Sequence, residues 1–462
     1  YGSELDKEHM DQAIEAADTI GLPATMLEPQ SQMVPGSHGT HVASIAAGNH
    51  GVCPHADIAG VVISLPIEDT DRRKSFYDSS RIMHAVEYLF ELGEKIDKPV
   101  SINISLGTNG HAHDASSVNS RWIDHKLSTA GRNICVAAGN AGQESPAEPG
   151  DWGFVMGRIH TSGRLKKTGD TVDIEWIVLG DGIADLSENE LEIWYNPQDR
   201  IAIQIQPPGM SEWIGPIEPG FYRQNKMLSD GTFVSIYNEL YIPANGDNRI
   251  ACYLSPFFSE ERVSGVRAGT WLVRLIGLDI RDGKYHGWVE RDDPRRLGKL
   301  GFKEAWAFPS FFSENSTVDN STVSSLACGQ RVISVANLDQ AGQVINLTSS
   351  QGPTRDGRQK PEIAAPGTDI VAANGFSGDD DLWISMSGTS MASPYVAGVA
   401  AHLLTIEPKL TAAQIGGIIC RTARPLPGYG YQWEDDAGFG EVVLAACLIE
   451  VQALLESEEV NP

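Results

Sequence analysis

The sequence lacks the features that mark membrane-spanning, zinc-binding and nucleic-acid-binding proteins. No stretch of its 462 residues reaches about 18 uninterrupted apolar residues, so no transmembrane helix is expected. Its six cysteines are scattered, without a C-x-x-C pair or an interleaved histidine, which disfavours a zinc site. Positive charge is scarce: 35 Lys and Arg face 61 Asp and Glu. The resulting net charge of −26 disfavours general binding to nucleic acid or to an anionic membrane.

What the sequence does contain is enough apolar residues, 41%, to form a sizeable core. Three of the cysteines, Cys135, Cys420 and Cys447, lie inside apolar runs and are interpreted as small buried residues. Unpaired cysteines slightly favour a reducing, cytoplasmic compartment.

The pattern of the sequence changes twice along the chain. Residues 1–151 alternate helix-like and strand-like runs, including apolar residues at helical spacing over 82–92. Residues 152–318 contain many short β-rich runs separated by Gly, Pro, Asn and Asp, which is typical of a β-sandwich or jelly roll. The α/β pattern returns in residues 319–462, with a helix-like run over 391–404. We therefore expect one α/β domain interrupted by an all-β module.

A small-residue turn before an apolar helix gives the first candidate for chemistry. The segment Gly388-Thr-Ser-Met-Ala-Ser-Pro394 places Ser390 at the start of this helix. A hydroxyl there lies beside free backbone N–H groups at the positive helix end, which can stabilise an oxyanion formed when the hydroxyl attacks a carbonyl. Taken alone, Ser390 is equally well interpreted as an ordinary N-cap.

Two further segments with flanking glycines carry a histidine and an asparagine. His38, in Gly36-Ser-His-Gly39, lies at the start of a small-residue helix, where an imidazole can act as a general base. Asn140 follows a strand in Val136-Ala-Ala-Gly-Asn140, and its amide can donate to a developing negative charge. Each residue alone is more simply interpreted as structural, the asparagine as part of a turn.

Together and in this order, the three segments resemble those of the subtilisin-like serine proteases (subtilases, peptidase S8). Ser105-Leu-Gly107 and Asp356-Gly-Arg-Gln-Lys-Pro-Glu-Ile-Ala-Ala-Pro-Gly367 also match that family. The β insertion after the asparagine turn is similar to the jelly-roll insertion of the clostridial Csp-type subtilases. The resemblance implies a subtilisin-like three-layer α/β sandwich with a mostly parallel sheet, interrupted by a jelly-roll-like module. It also implies a serine endopeptidase with peptide or protein substrates.

The resemblance also implies a role for each matching residue. Ser390 would be the nucleophile, His38 its base, and Asn140 would form the oxyanion hole with the backbone N–H of Ser390. A substrate strand would pair with two edges, whose small residues leave room for a sizeable side chain. The residues implied in these edges are Ser105, Leu106 and Gly107 on one side, and Ala137, Ala138 and Gly139 on the other.

The family's third catalytic residue, an aspartate at the end of an apolar strand upstream of the histidine, has no match. Asp18 lies in a helical context, and Asp279 lies within the β module. We therefore expect the aspartate strand to precede Tyr1, either in the same chain or as a separate N-terminal fragment. Without it the chain should be nearly inactive, because loss of this aspartate in subtilisin costs roughly 3 × 10⁴ in kcat.

Alternatives stay open on the residues alone. A pseudoprotease would bind peptides or a protein partner without cleaving them, and the β module could instead be a carbohydrate- or protein-binding sandwich. No cofactor or metal is expected: the acidic run 377–381 offers carboxylates for calcium but lacks the spacing of a calcium loop. Residues 111–114, with two histidines, are expected to form a surface loop. The tryptophans of the module are expected in its core: Trp176, Trp194, Trp213, Trp271 and Trp288.

Overall fold

The computed structural model describes residues 4–27, 37–63, 80–142, 157–259, 263–290, 295–300, 303–375 and 381–460. Within these ranges, no helix is both long and apolar enough to cross a membrane. The helices are α1 (Lys7–Ile20), α2 (Ala24–Leu27), α3 (His38–Ala47), α4 (Ser80–Lys95), α5 (Val118–Lys126), α6 (Thr389–Ile406), α7 (Ala412–Arg421) and α8 (Leu444–Val460).

Local sequence signals account for several helix ends. The Asp6 carboxylate accepts a hydrogen bond from the His9 backbone N–H at 3.0 Å and begins α1. Gly21, in the left-handed conformation at φ 67°, ends the same helix. Thr411 and Gln414 form a reciprocal capping box at the start of α7. These caps satisfy backbone groups that a helix leaves unpaired at its ends.

A mixed sheet lies at the centre of the outer domain. Strands β1, β2, β20 and β22 pair in parallel, whereas β21 pairs antiparallel with β20, so the expected mostly parallel sheet is found as a mixed one. A separate hairpin joins β23 and β24. The strands are β1 (Val100–Ile104), β2 (Arg132–Ala137), β20 (Ile333–Asp339), β21 (Val344–Ile345), β22 (Ile363–Pro366), β23 (Ile370–Ala373) and β24 (Trp383–Met386).

Helices cover both faces of this sheet and make three layers. On one face, α6, α7 and α8 bury an apolar cluster against Cys135, Val335 and Ile363. On the other face, α4 and α5 pack against Ile102 and Ile134. Burial of apolar surface on both faces of a sheet is the usual source of stability in α/β proteins.

The inserted segment forms two antiparallel sheets around one core. One sheet has the order β3-β16-β6-β11-β10-β9 and the other β19-β4-β15-β7-β8, and side chains of both share one buried cluster. The narrower prediction of a jelly roll is not confirmed. The strands are β3 (His160–Arg164), β4 (Thr171–Val178), β5 (Ala184–Asp185), β6 (Asn189–Tyr195), β7 (Arg200–Gln206), β8 (Ile214–Ile217), β9 (Tyr222–Met227), β10 (Phe233–Glu239), β11 (Asn248–Ser255), β12 (Phe257–Phe258), β13 (Val263–Ser264), β14 (Val266–Arg267), β15 (Gly269–Asp279), β16 (Lys284–Glu290), β17 (Arg295–Leu300), β18 (Lys303–Ala307) and β19 (Phe311–Phe312).

The tryptophans of the module follow the prediction only in part. Trp176 and Trp271 are buried in the core shared by its two sheets. Trp194 and Trp288 are buried elsewhere, in a cluster with Ala112 and Ala141 of the outer domain, so placing them in the core of the module was wrong. Trp213 is only partly buried, and the Arg274 guanidinium lies 4.4 Å from its ring centroid. Placing Trp213 in the core was therefore wrong, because its ring lies at the surface under a cation.

The expectation of a surface loop at residues 111–114 was also wrong for one histidine. His113 is 2% exposed, and its ring stacks on Trp288 with the centroids 4.2 Å apart. Its two ring nitrogens lie 2.8 Å and 2.9 Å from the carbonyl oxygens of Val323 and Asn109. The inserted module covers this loop, which a pattern within the loop itself does not reveal.

Candidate active site

The helices that begin at the histidine and serine segments pack closely against each other. A Cβ atom on Gly398 of α6 would lie only 2.6 Å from Val52 Cβ and 2.9 Å from the Ala46 carbonyl, so this crossing requires glycine. Buried His41 fixes α3 further, because its Nε2 lies 3.0 Å from the Ile370 carbonyl oxygen. Since a carbonyl can only accept, Nε2 carries the proton.

Ser390 lies in the first turn of α6 and is tied to the end of β1. Its Oγ donates to the Ser105 carbonyl at 3.4 Å, while Ser105 Oγ donates to the Ser390 carbonyl at 2.8 Å. Asn103 Nδ2 donates to Ser105 Oγ at 2.9 Å, and Ser393 Oγ donates to Asn103 Oδ1 at 2.6 Å. This network fixes the helix start relative to the sheet.

Asn140 is held by the residue that precedes Ser390. Its Oδ1 accepts from both the backbone N–H and the hydroxyl of Thr389, each at 3.0 Å. The Thr389 hydroxyl also accepts from the Gly139 N–H at 3.2 Å. Because a backbone N–H can only donate, the atom that faces it is the oxygen, and Nδ2 remains as a donor on the exposed side chain.

Thr389 is a residue of the candidate site that sequence reasoning missed. It is buried and connects Asn140 to the start of α6. Its hydroxyl, one residue before Ser390, was the available signal. A side-chain hydroxyl at a helix start is usually interpreted as a cap, so only the fold shows which partner it has.

The two predicted substrate edges differ in whether their backbone N–H and C=O groups are free to bond to a substrate. Leu106 and Gly107 are exposed, and their backbone groups make no hydrogen bond with any other described residue. Ala138 instead is buried, donating from its N–H to the Val335 carbonyl and accepting from the Ser324 N–H at 2.7 Å. The first edge therefore has free backbone for a substrate strand, whereas Ala138 has none.

Ser324 occupies space between these edges. It is 2% exposed, and a Cβ atom on Gly107 would lie 2.7 Å from its Oγ. Its Oγ also lies 3.4 Å from the Ala137 carbonyl. The room predicted for a sizeable substrate side chain is thus partly filled by the chain itself.

His38 is the least constrained member of the site. Within the described part of the chain, its ring makes no hydrogen bond, either to Ser390 or to a carboxylate. Asp18 is exposed in α1, and Asp279 lies at the end of β15 beside Arg281. Desolvation lowers the pKa of the partly exposed His38, and the nearby His41 adds to this effect. A lowered pKa favours the neutral imidazole, the form that a general base requires.

Two further observations concern the edge of the sheet and the segment after α3. Among the described strands, β1 pairs with β2 alone, so its other edge is open. Ile58, Val61 and Val62 lie outside any strand and are exposed. Unpaired strand edges and exposed aliphatic side chains are features that folded proteins usually cover.

No group of three or more metal-binding side chains is found in the part of the chain that the structure describes. The calcium candidate 377–381 lies outside the described residues except for Asp381.

Comparison with known proteins gives the following matches. The model of the subtilase family, peptidase S8, matches residues 10–234 and 311–441. Serine protease AprX of Bacillus subtilis is 34% identical over 159 residues, which cover 30% of this chain and 36% of that protein. Subtilisin-like protease SBT4.14 of Arabidopsis thaliana is 43% identical over 89 residues, which cover 17% of this chain and 12% of that protein. The chain thus matches only a minor part of these relatives' lengths.

The Clostridium perfringens CspB protease is similar over most of the fold. Its structure matches 97% of this chain and 86% of its own, with a TM-score of 0.75 and 23% sequence identity. At this identity the likeness concerns the fold, which is subtilisin-like. Because the family model matches well over half of the residues, including both the histidine and the serine segments, the chain belongs to the subtilase family.

Proposed function

We propose that this protein is a serine endopeptidase that cleaves peptide bonds through an acyl-enzyme on Ser390. The observation that carries the proposal is the anchoring of Asn140 by Thr389. It places a fixed amide donor beside a hydroxyl at a helix start, which is the arrangement that oxyanion stabilisation needs. Family membership and the retained His38 support the same reaction.

Each residue has a defined task in this reaction. His38 takes the proton from Ser390 Oγ as that oxygen attacks the substrate carbonyl. Asn140 Nδ2 and the Ser390 N–H donate to the oxyanion that forms. His38 then returns the proton to the leaving amine, and a water molecule hydrolyses the acyl-enzyme by the same steps. The free backbone at Leu106 and Gly107 pairs with the extended substrate on one side.

We further propose that an aspartate on a strand outside the described residues completes the site. The open edge of β1, the exposed side chains at Ile58, Val61 and Val62 and the unbonded His38 ring all support an added strand here. This strand belongs to a preceding segment or to a separate N-terminal fragment. Its carboxylate would orient the imidazole and stabilise the imidazolium.

Fluorophosphonate labelling of the protein from its native source, read by intact mass, tests this function. We expect label on Ser390, absent in Ser390→Ala, in a species heavier than the 50.0 kDa of this chain or associated with a second fragment. An unlabelled species of 50.0 kDa would instead indicate a pseudoprotease whose groove binds peptides without cutting them.

A further inference from the structure

The loop that follows the substrate edge has a backbone conformation that it does not fix by itself. His111, His113 and Ala115 have positive φ values of 70°, 49° and 61°. Residues with a Cβ atom rarely adopt this region, and three of them within five positions require support from outside the loop. The loop begins directly after Gly107, so its position affects the edge Leu106–Gly107.

Much of that support comes from the inserted module. Glu290, at the end of β16, accepts a hydrogen bond from the Gly110 backbone N–H. Glu192 on β6 accepts from the His111 backbone N–H at 2.8 Å. Both carboxyls lie on one face of the six-stranded sheet, where Glu290 and Glu190 are direct neighbours across β16 and β6.

Glu192 is itself fixed in place. It is buried, its Oε1 pairs with Arg249 at 2.7 Å, and its Oε2 also accepts from Trp194 Nε1 at 3.2 Å. A buried carboxylate with these partners cannot follow the loop, so the loop must adapt to it. Arg355 of the outer domain supports the next turn by donating to the Ala112 carbonyl at 2.8 Å.

The loop is in turn connected to the nucleophile. Ser105, two residues before Gly107, exchanges hydrogen bonds with Ser390 through its carbonyl and its hydroxyl. A displacement of residues 109–111 would therefore first alter the exposed edge Leu106–Gly107, while the bonds at Ser105 hold the nucleophile.

We infer that Glu290 and Glu192 of the inserted module are positioning residues for substrate binding. They hold the main chain of residues 109–111 and thereby set the edge Leu106–Gly107 along which a substrate strand pairs. The effect on substrate binding rests on the proposed function. The contact between the module and the loop does not depend on that function.

Glu290 offers the cleaner test of the two, because among the described side chains it has no cationic partner that a substitution would leave unpaired. Burial, and then the adjacent Glu190, raise the pKa of Glu290 to about 8. It is therefore largely a neutral acid at pH 7, and a glutamine copies its shape and its acceptor oxygen. Glu290→Gln should keep the loop in place, whereas Glu290→Ala should release it.

The first experiment follows amide hydrogen exchange in residues 105–112 of the full chain. We expect Glu290→Ala to speed exchange of the Gly110 amide, which bonds to Glu290, by about ten-fold, the loss that one deleted hydrogen bond produces. Glu290→Gln should match the wild type. Glu175→Ala is the matched control, since Glu175 lies on β4 in the other sheet of the module and bonds to Ser313. Unchanged exchange in a folded Glu290→Ala protein would overturn the inference.

The second experiment measures peptide binding and turnover. In a Ser390→Ala background, the apparent Kd for a fluorescein-labelled hexapeptide library should rise about ten-fold with Glu290→Ala and stay within about two-fold with Glu290→Gln. In the active protein, KM for quenched hexapeptides should rise about as much, while kcat and ester hydrolysis change by less than about two-fold.

The outcomes separate the two proposals. Equal losses of kcat and ester hydrolysis in Glu290→Ala would mean general damage and would overturn positioning of the edge. A wild-type protein that binds no peptide and takes no fluorophosphonate would overturn the proposed function. The exchange experiment would then still decide whether Glu290 holds the loop.

Discussion

The two sides of the candidate site are built very differently. On the serine side, Ser390, Thr389, Asn140 and Ser105 are joined by hydrogen bonds that connect α6 with the ends of β1 and β2. On the histidine side, the His38 ring has no hydrogen-bond partner among the described residues. The residues proposed to bind the oxyanion are thus held by the chain's own contacts, whereas the proposed general base is not.

In the proposed reaction, the two sides would contribute differently to catalysis. A fixed donor array needs no reorganisation during the reaction and keeps its effect without the rest of the site. An imidazole works only in the correct tautomer and orientation, which an adjacent carboxylate provides. We therefore expect that the serine side needs no further group for its part in the reaction. A carboxylate added beside His38 should increase the activity most.

Supplying a carboxylate beside His38 should remove the difference between the two sides and should give the largest change in kcat. Adding the proposed aspartate strand, in the same chain or as a fragment, should raise kcat by about 10⁴-fold, since the aspartate is worth that much in subtilisin. Peptide hydrolysis measures this gain. The same strand with alanine in place of the aspartate is the control, and an equal gain with both would contradict an orienting role for the carboxylate.

Removing the amide that is proposed to donate to the oxyanion should give the second largest loss of kcat. Asn140→Ala should lower kcat by about 10²–10³ and leave KM nearly unchanged, because the amide acts on the transition state. Steady-state kinetics measure both constants. Asn315→Ala, an exposed asparagine of the inserted module, is the matched control. A rise in KM with constant kcat would place Asn140 in substrate binding instead.

Removing the hydroxyl that holds Asn140, while keeping Asn140 itself, should lower kcat by a smaller factor. Thr389→Val keeps the shape of the side chain but loses the hydroxyl that bonds Asn140 and Gly139. We expect kcat to fall by about ten-fold, the cost of one or two lost hydrogen bonds, and Thr389→Ser to restore it. If Thr389→Ser were as impaired as Thr389→Val, the methyl group rather than the hydroxyl would be responsible.

The smallest expected effect concerns the carboxyl groups at the contact between the module and the substrate loop. Their titration should make the stability of the folded protein depend on pH. The folded pKa of Glu290 is raised to about 8, and that of Glu190 to about 7, mainly by burial. Between the pKa of an unfolded glutamate, about 4.3, and these values, the folded state holds the extra proton, so stability falls as pH rises.

Thermal unfolding between about pH 6 and pH 9 checks this sign. The Tm of the wild type should decrease over that range, and Glu290→Gln should remove about 2 °C of the decrease because its amide does not titrate. Glu175→Gln, on β4 in the other sheet, is the control for loss of a glutamate away from this loop. A slope that Glu290→Gln does not change would show that Glu290 does not titrate there.

Much of the fold followed from local patterns. The short β-rich runs predicted within residues 152–318 are found as strands such as β15, and the helical spacing of 82–92 is found within α4. Alternation and periodicity report which face of an element is buried, and this depends on neighbours in the sequence. His113 and Trp213 were misplaced because their burial depends on distant partners, Trp288 for the first and Arg274 for the second.

The residues of the candidate site also fall into two groups, those recognised from the sequence and those found only in the structure. The segments around His38, Asn140 and Ser390 were recognisable because close backbone packing at helix and strand ends demands small residues at fixed spacing. Thr389 and Ser324 were not, since a threonine at a helix start and a serine after a β module have many ordinary roles.

The family and the order of the α/β and β segments followed from the sequence alone, and the roles of His38, Asn140 and Ser390 stay predictions from it. Short-range spacing encodes these features. The folded chain was needed to show that Thr389 bonds to Asn140, that Ser324 fills space beside Gly107, and that Glu290 of the inserted module contacts the loop after that glycine. Those contacts join residues as much as 249 positions apart. Chain folding brings such residues together, and no pattern within one segment records the distance.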